Sequence, residues 1–117
     1  MLAGVAIGAI AVQTLHAQAK PPVYMIGLNE VSNPDGYKNE YLPLARKSIK
    51  EHGGVYVAAG PGTVIDGTLP NGRVVVLQWD SMEALKAWRT SSEYTAARKI
   101  GESYAKYNVI AVDGVQQ

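Results

Sequence analysis

The chain contains no cysteine and no phenylalanine, and it carries only two histidines. Without cysteine, a disulfide framework, a thiolate-held metal and a cysteine nucleophile are all excluded. One histidine, His16, lies in the N-terminal segment, so His52 is the sole imidazole of the rest of the chain. A lone imidazole, among acids that show no ligand spacing, does not make a zinc site, and no metal is expected. Gly-rich phosphate loops, nucleophile elbows and dinucleotide fingerprints are also missing, so no cofactor is expected either. The absence of phenylalanine leaves seven tyrosines and two tryptophans, which means that every aromatic ring carries a hydrogen-bonding group. Charge is scarce and balanced: 11 Lys and Arg against 10 Asp and Glu leave a net +1. No nucleic-acid partner is expected, because such proteins gather a basic excess on one face. What the chain does have is apolar residues, 47% of 117, enough to exclude disorder and to build one domain of ordinary size.

Charge is wholly missing from the first nineteen residues, which contain no Asp, Glu, Lys or Arg. Residues 2–12 are small and apolar; they are followed by the more polar Gln13, Thr14, Leu15 and His16, and then by Ala17-Gln18-Ala19. The last tripeptide has the small residues that a signal peptidase accepts, and the apolar run is about half the roughly 20 residues that a membrane span needs. The expectation is an export signal over residues 1–19, cleaved after Ala19. A retained anchor and an ordinary helix are the alternatives, since no Lys or Arg supplies the usual positive start. Residues 20–117 would then be a periplasmic or secreted domain with no stable membrane anchor once processed.

Beyond Pro21-Pro22, residues 23–31 form an apolar run that reads as a strand buried on both faces. Asn33-Pro34 opens a helix, with Tyr37, Tyr41, Leu44, Ala45 and Ile49 at helical spacing. Pro43 either kinks that helix or marks a restart, and Gly53-Gly54 ends it. Residues 55–59 are a second strand, closed by Gly60-Pro61-Gly62, with Thr63, Val64 and Ile65 as an extension past a bulge. Asp66-Gly67 and Asn71-Gly72 are turn dipeptides, and residues 73–79 make the third strand. Asp80 and Glu83 have the spacing of a capping box, opening a helix that buries Leu85 and Trp88. Ser91-Ser92-Glu93 caps another, with Tyr94, Ala97, Ile100 and Tyr104 inward. Residues 107–112 are the last strand. The order is β-α-β-β-α-β with the second helix broken in two, an α+β ferredoxin-like antiparallel sheet with its helices on one face.

Residues 23–115 resemble a bacterial family of small proteins, domain of unknown function 1330. The residues that carry the resemblance are Gly53-Gly54, the run Arg73-Val74-Val75-Val76-Leu77-Gln78-Trp79-Asp80-Ser81, Trp88 with Ser92-Glu93-Tyr94, and the closing Val112-Asp113-Gly114. The resemblance implies the dimeric α+β barrel superfamily. That superfamily includes cofactor-independent oxygenases, haem-handling enzymes and small-molecule binders, so it selects no reaction. The strands support a homodimer on their own account. In Val74-Val75-Val76-Leu77 both faces are apolar, and helices on one side would leave the other face bare.

The aromatic set suits a ligand pocket: Tyr37, Tyr41, Trp79, Trp88 and Tyr94 lie on elements that converge on one side of the sheet, where rings with polar tips orient a small organic molecule. Equally, each ring can be ordinary core. Catalytic candidates are Tyr41, His52 and Arg73. His52 also has a structural role open to it, closing a helix end where a cation is favoured. Arg73 either brackets a substrate carboxylate with Asp66, pairs with it, or is a solvated edge charge. The sequence thus points first to a ligand-binding homodimer. Second comes a cofactor-independent oxygenase or isomerase acting on a small organic acid or phenol, and third a structural or interaction protein with a filled core.

Overall fold

The computed structural model describes residues 20–69 and 72–117. The expected export signal, and Pro70 and Asn71 of the hairpin turn, lie outside the described residues. Strand β1 (Val23–Val31) is followed by a helix in three parts: α1 (Pro34–Gly36), a π-helical segment (Tyr37–Tyr41) and α2 (Leu42–Glu51). Then come β2 (Val55–Pro61), β3 (Arg73–Trp79), α3 (Met82–Arg89), α4 (Ser92–Gly101), β4 (Ala105–Lys106) and β5 (Val109–Asp113). Every strand pairing is antiparallel. β3 lies between β2 and β1, and both β5 and the short β4 pair with β1. This is the expected ferredoxin-like α+β arrangement.

Local chemistry explains the helix boundaries. Asn33 caps the first helix by accepting from the Gly36 amide at 3.0 Å, and Pro34 takes the first helical position, where its missing N–H is harmless. Pro43 lies in the first turn of α2, so of the two readings it marks a restart. Just before it, the Leu42 amide bonds back five residues to the Tyr37 carbonyl, closing the π turn. His52 then ends the helix. Its Nδ1 lies 2.9 Å from the Ser48 carbonyl, and Gly53 follows at φ 86°, a left-handed conformation that glycine adopts freely.

Four expectations need correction. The cap of α3 is Ser81, whose Oγ accepts from the Ala84 amide at 3.1 Å, rather than Asp80; the extended backbone at Ser81 places its hydroxyl over the first turn. The second cap falls on Ser91, as expected, but the helix stops at Gly101, leaving Ile100 exposed and Tyr104 beyond the end. Strand β2 runs on to Pro61, and its irregularity falls between Tyr56 and Ala58; Thr63, Val64 and Ile65 are exposed and outside any strand. The last strand is split because Asn108 interrupts it. Asn108 accepts from the Leu28 amide at 2.8 Å through its backbone and donates to the Leu28 carbonyl at 3.1 Å through its side chain. Tyr107 therefore packs against the buried cluster instead of taking a ladder position.

The helices cover one face of the sheet. Val23, Met25, Val75, Leu77 and Trp79 are buried beneath them with Tyr37, Tyr41, Ile49, Trp88 and Tyr94. The Trp88 ring stacks on Tyr94 at 4.0 Å between centroids and lies 5.1 Å from Trp79. Its Nε1–H donates to Ser48 Oγ at 3.0 Å, and Ser48 in turn donates to the Ala45 carbonyl. The opposite face carries Tyr24, Ile26, Leu28, Val74, Val76, Ile110 and Val112, of which Ile110 is 65% and Val112 50% exposed. Apolar composition on both faces, as read from the sequence, is thus met by burial on only one within a single chain.

Candidate functional site

Between the helices and the covered sheet face lies a cavity of about 240 Å3. Its floor is β1 and β3, through Met25, Gly27, Val75 and Leu77; its roof is Tyr37, Tyr41, Leu42 and Ile49 from the first helix. Leu85, Trp88, Tyr94 and Arg98 close one side, with Tyr107 and Val109 completing the wall. The π segment shapes the roof. With both of its end tyrosines buried, Tyr37 and Tyr41 stack at 5.0 Å on the same inner side. π turns recur at functional sites because they redirect side chains within a helix.

The polar groups of this cavity are few and specific. The hydroxyls of Tyr41 and Tyr94 are 2.7 Å apart. Asn29, a buried amide in the middle of an apolar strand, donates from Nδ2 to the Tyr37 hydroxyl at 3.4 Å, while its Oδ1 has no partner among the described residues. The Tyr107 hydroxyl is buried without a partner as well, although the Arg98 guanidinium lies 3.8 Å from its ring centroid, a close cation–π contact,. Arg89 stands 5.5 Å from the Tyr94 ring. Burial, reinforced by the neighbouring Tyr94, pushes the Tyr41 hydroxyl far above its ordinary value. Burial is the main cause at Tyr107 and Tyr37, offset in part by the Tyr41 hydroxyl at Tyr107 and by the Asn29 hydrogen bond and Arg73 at Tyr37. These phenols remain protonated, so Tyr37 and Tyr107 each keep an O–H donor, and the Tyr41–Tyr94 pair keeps one between them, for whatever fills the space,.

Of the residues singled out from the sequence, Tyr37, Tyr41, Trp88 and Tyr94 meet in this cavity. Trp79 does not: it is buried in the core at 1% exposure, packed against Trp88 and under Gly54. His52 is not among the lining residues; it is half-buried at the helix end and bonded to Ser48. Arg73 lines a separate cleft rather than this cavity, and the only ion pair among the described residues, Arg98 with Glu102, does not involve it or Asp66. Asn29, Arg89, Arg98 and Tyr107 were missed. A polar Asn inside an apolar strand was the one legible signal among them. Among the described residues no three His, Cys, Asp or Glu gather as a metal-binding group, and no helix is long and apolar enough to cross a membrane.

The family model for a domain of unknown function, DUF1330, matches residues 22–115. The chain belongs to the DUF1330 family. Comparison with curated protein sequences finds no match. Among solved structures, a protein of unknown function from Rhodopseudomonas palustris is 16% identical, with a TM-score of 0.66 over 93% of this DUF1330 chain and 94% of its own. SnoaB, a cofactor-independent oxygenase from Streptomyces nogalater, is 10% identical, with a TM-score of 0.61 over 83% and 96% of the two chains. An ethyl tert-butyl ether D (EthD) family protein from Bacillus halodurans is 17% identical, with a TM-score of 0.56 over 80% and 99%. At such identities the likeness of these proteins to the DUF1330 chain is one of fold.

Proposed function

We propose that this protein binds a small, single-ring organic molecule bearing a hydroxyl group, within the cavity between helices and sheet. The observation that carries the reading is a set of buried polar atoms with no hydrogen-bond partner among the described residues, Asn29 Oδ1, the Tyr107 hydroxyl and Arg98 Nε, in a largely aromatic and aliphatic enclosure. Buried polar atoms without partners are uncommon and costly. A ligand oxygen that donates to Asn29 and accepts from a tyrosine removes that cost. The size fits a single ring, since 240 Å3 falls below the roughly 300–1,000 Å3 of drug-sized sites.

The oxygenase reading takes its support from the shared fold with SnoaB. In that reading Tyr41 polarises a substrate oxygen, the substrate supplies the electrons and dioxygen accepts them. Binding is preferred because the titratable side chains lining the cavity are tyrosines and arginines, none of which ordinarily changes charge near neutral pH, as a general base would. A purely structural role is disfavoured by the open volume.

The protein is further proposed to work as a homodimer whose bare sheet face is covered by a second copy, and as an exported protein. The exposed Val55, Ile110 and Val112 support the first, because soluble proteins seldom leave a contiguous apolar face to water. The uncharged segment ending in Ala17-Gln18-Ala19 supports the second,.

Calorimetric titration of single-ring phenols tests the binding reading. Saturable binding is expected, weakened about tenfold in Tyr41→Phe, the equivalent of one lost hydrogen bond of about 1.4 kcal/mol. No saturable binding by any of them, or equal affinity in Tyr41→Phe and Tyr94→Phe, would overturn it.

A further inference from the structure

A second concavity, of about 700 Å3, opens on the outer side of Tyr37 and Leu42, between the start of the first helix and the ends of β2 and β3. Among the described residues its charged lining is Lys38, Arg46 and Arg73, with no Asp or Glu. None of the three takes part in the single ion pair found among the described residues. Arg73 Nε is buried and has no hydrogen-bond acceptor among the described residues. The two guanidinium groups are each placed beside a ring, Arg73 at 6.0 Å from Tyr37 and Arg46 at 6.0 Å from Tyr56. The remaining walls include Val31, Leu42, Pro43 and Pro61.

Three like charges around one concavity with apolar walls raise the local potential and favour an anion there. A guanidinium presents a planar fork of donors that fits an oxyanion, and a buried N–H lacking an acceptor gains most from one. Apolar walls beside that fork favour a ligand with a hydrocarbon body over a bare, strongly hydrated ion. We propose that this cleft binds a small organic oxyanion, its carboxylate or phosphate held by Arg73 and Arg46 and its apolar body against Leu42 and Pro43. The site is separate from the aromatic cavity, with Tyr37 and Leu42 as the partition, and does not depend on what that cavity holds.

Nuclear magnetic resonance of isotope-labelled protein separates the two sites, because arginine Nε–H and tryptophan indole N–H signals report them individually. The probes are benzoate, phenyl phosphate, inorganic phosphate and the neutral benzyl alcohol. Benzoate or phenyl phosphate is expected to shift the Arg73 and Arg46 signals saturably while leaving that of Trp88, which faces the inner cavity, in place. Affinity should fall about tenfold or more in Arg73→Gln and in Arg46→Gln, the scale of a lost charge-assisted contact. Dispersed indole signals in each variant establish that it is folded. The proposal is overturned by shifts that do not saturate or by unchanged affinity in both variants. Inorganic phosphate binding as tightly as the organic probes, or benzoate moving Trp88 in place of Arg73, overturns it equally. Failure of phenols to enter the inner cavity leaves this test intact.

Discussion

The hydroxyl oxygens of Tyr41 and Tyr94 lie 2.7 Å apart, joining the π segment to α4 across 53 residues of sequence. Two phenols sharing one hydrogen bond have one O–H proton left over, and at Tyr41 burial holds the neutral form. Tyr41→Phe keeps the ring packed on Tyr37 and Tyr107 but removes the bond. The expected loss is about 1–2 kcal/mol of unfolding free energy by urea denaturation, with an unchanged dependence on urea concentration. An unaltered stability would mean that the pair is not formed in solution.

Ser48 and Trp88 form a second buried link, 3.0 Å from Nε1 to Oγ. Ser48→Ala leaves the indole donor unsatisfied beside the cavity, and a destabilisation of about 1–3 kcal/mol is expected. Hydrogen exchange at the Trp88 indole should accelerate in the variant. The Trp79 indole, already without a partner, serves as the internal control and should not change.

Alkaline pH should unfold the protein in a defined direction. Tyr37, Tyr41 and Tyr107 all have folded values raised, chiefly by burial, whereas in the unfolded chain they ionise near pH 10. Above about pH 10 the unfolded state has released protons that the folded state keeps, so the stability these groups contribute is complete below that pH and is lost as pH rises. Ultraviolet titration should show them ionising together with unfolding. Reversible ionisation of all seven tyrosines in the folded protein at their ordinary value would contradict the buried placement.

The open sheet face makes its own prediction. Light scattering behind size exclusion should give twice the monomer mass, and Ile110→Glu or Val76→Glu should shift it toward monomer, because a charge buried in an apolar interface is strongly unfavourable. A monomeric parent protein would contradict the covered-face proposal.

Export is tested by intact-mass analysis of protein recovered from its own cells. An N-terminus at Lys20 in the exported fraction is expected; uncut chain confined to the cytosol would reject it.

The fold was largely legible because hydrophobic spacing and turn residues agree. Asn33-Pro34, Gly53-Gly54 and Ser91 mark element ends by local hydrogen bonding, which neighbouring residues suffice to reveal. Asp80 misled because the capping-box spacing is also satisfied one residue early, and only the backbone angles at Ser81 decide which oxygen reaches the Ala84 amide. Four of the five rings expected to meet do line one cavity, since helical spacing sets their common side; Trp79 fails because it comes from the sheet and is covered by Trp88. Arg89, Arg98 and Tyr107 reach the cavity through tertiary packing that no local pattern encodes. Asn29 was visible as an odd polar residue, in step with Val23 and Met25 on the covered face of β1, but its contact with Tyr37 depends on how the first helix packs over the sheet.

Crystals soaked with para-bromophenol show where a single-ring phenol binds, because the bromine is located by anomalous scattering. The ligand is predicted to lie in the cavity, its ring between Trp88 and Tyr107 and its hydroxyl within hydrogen-bond distance of Asn29, Tyr41 or Tyr107. Bromine found only at the molecular surface, with the cavity closed by repacked side chains, would contradict the account.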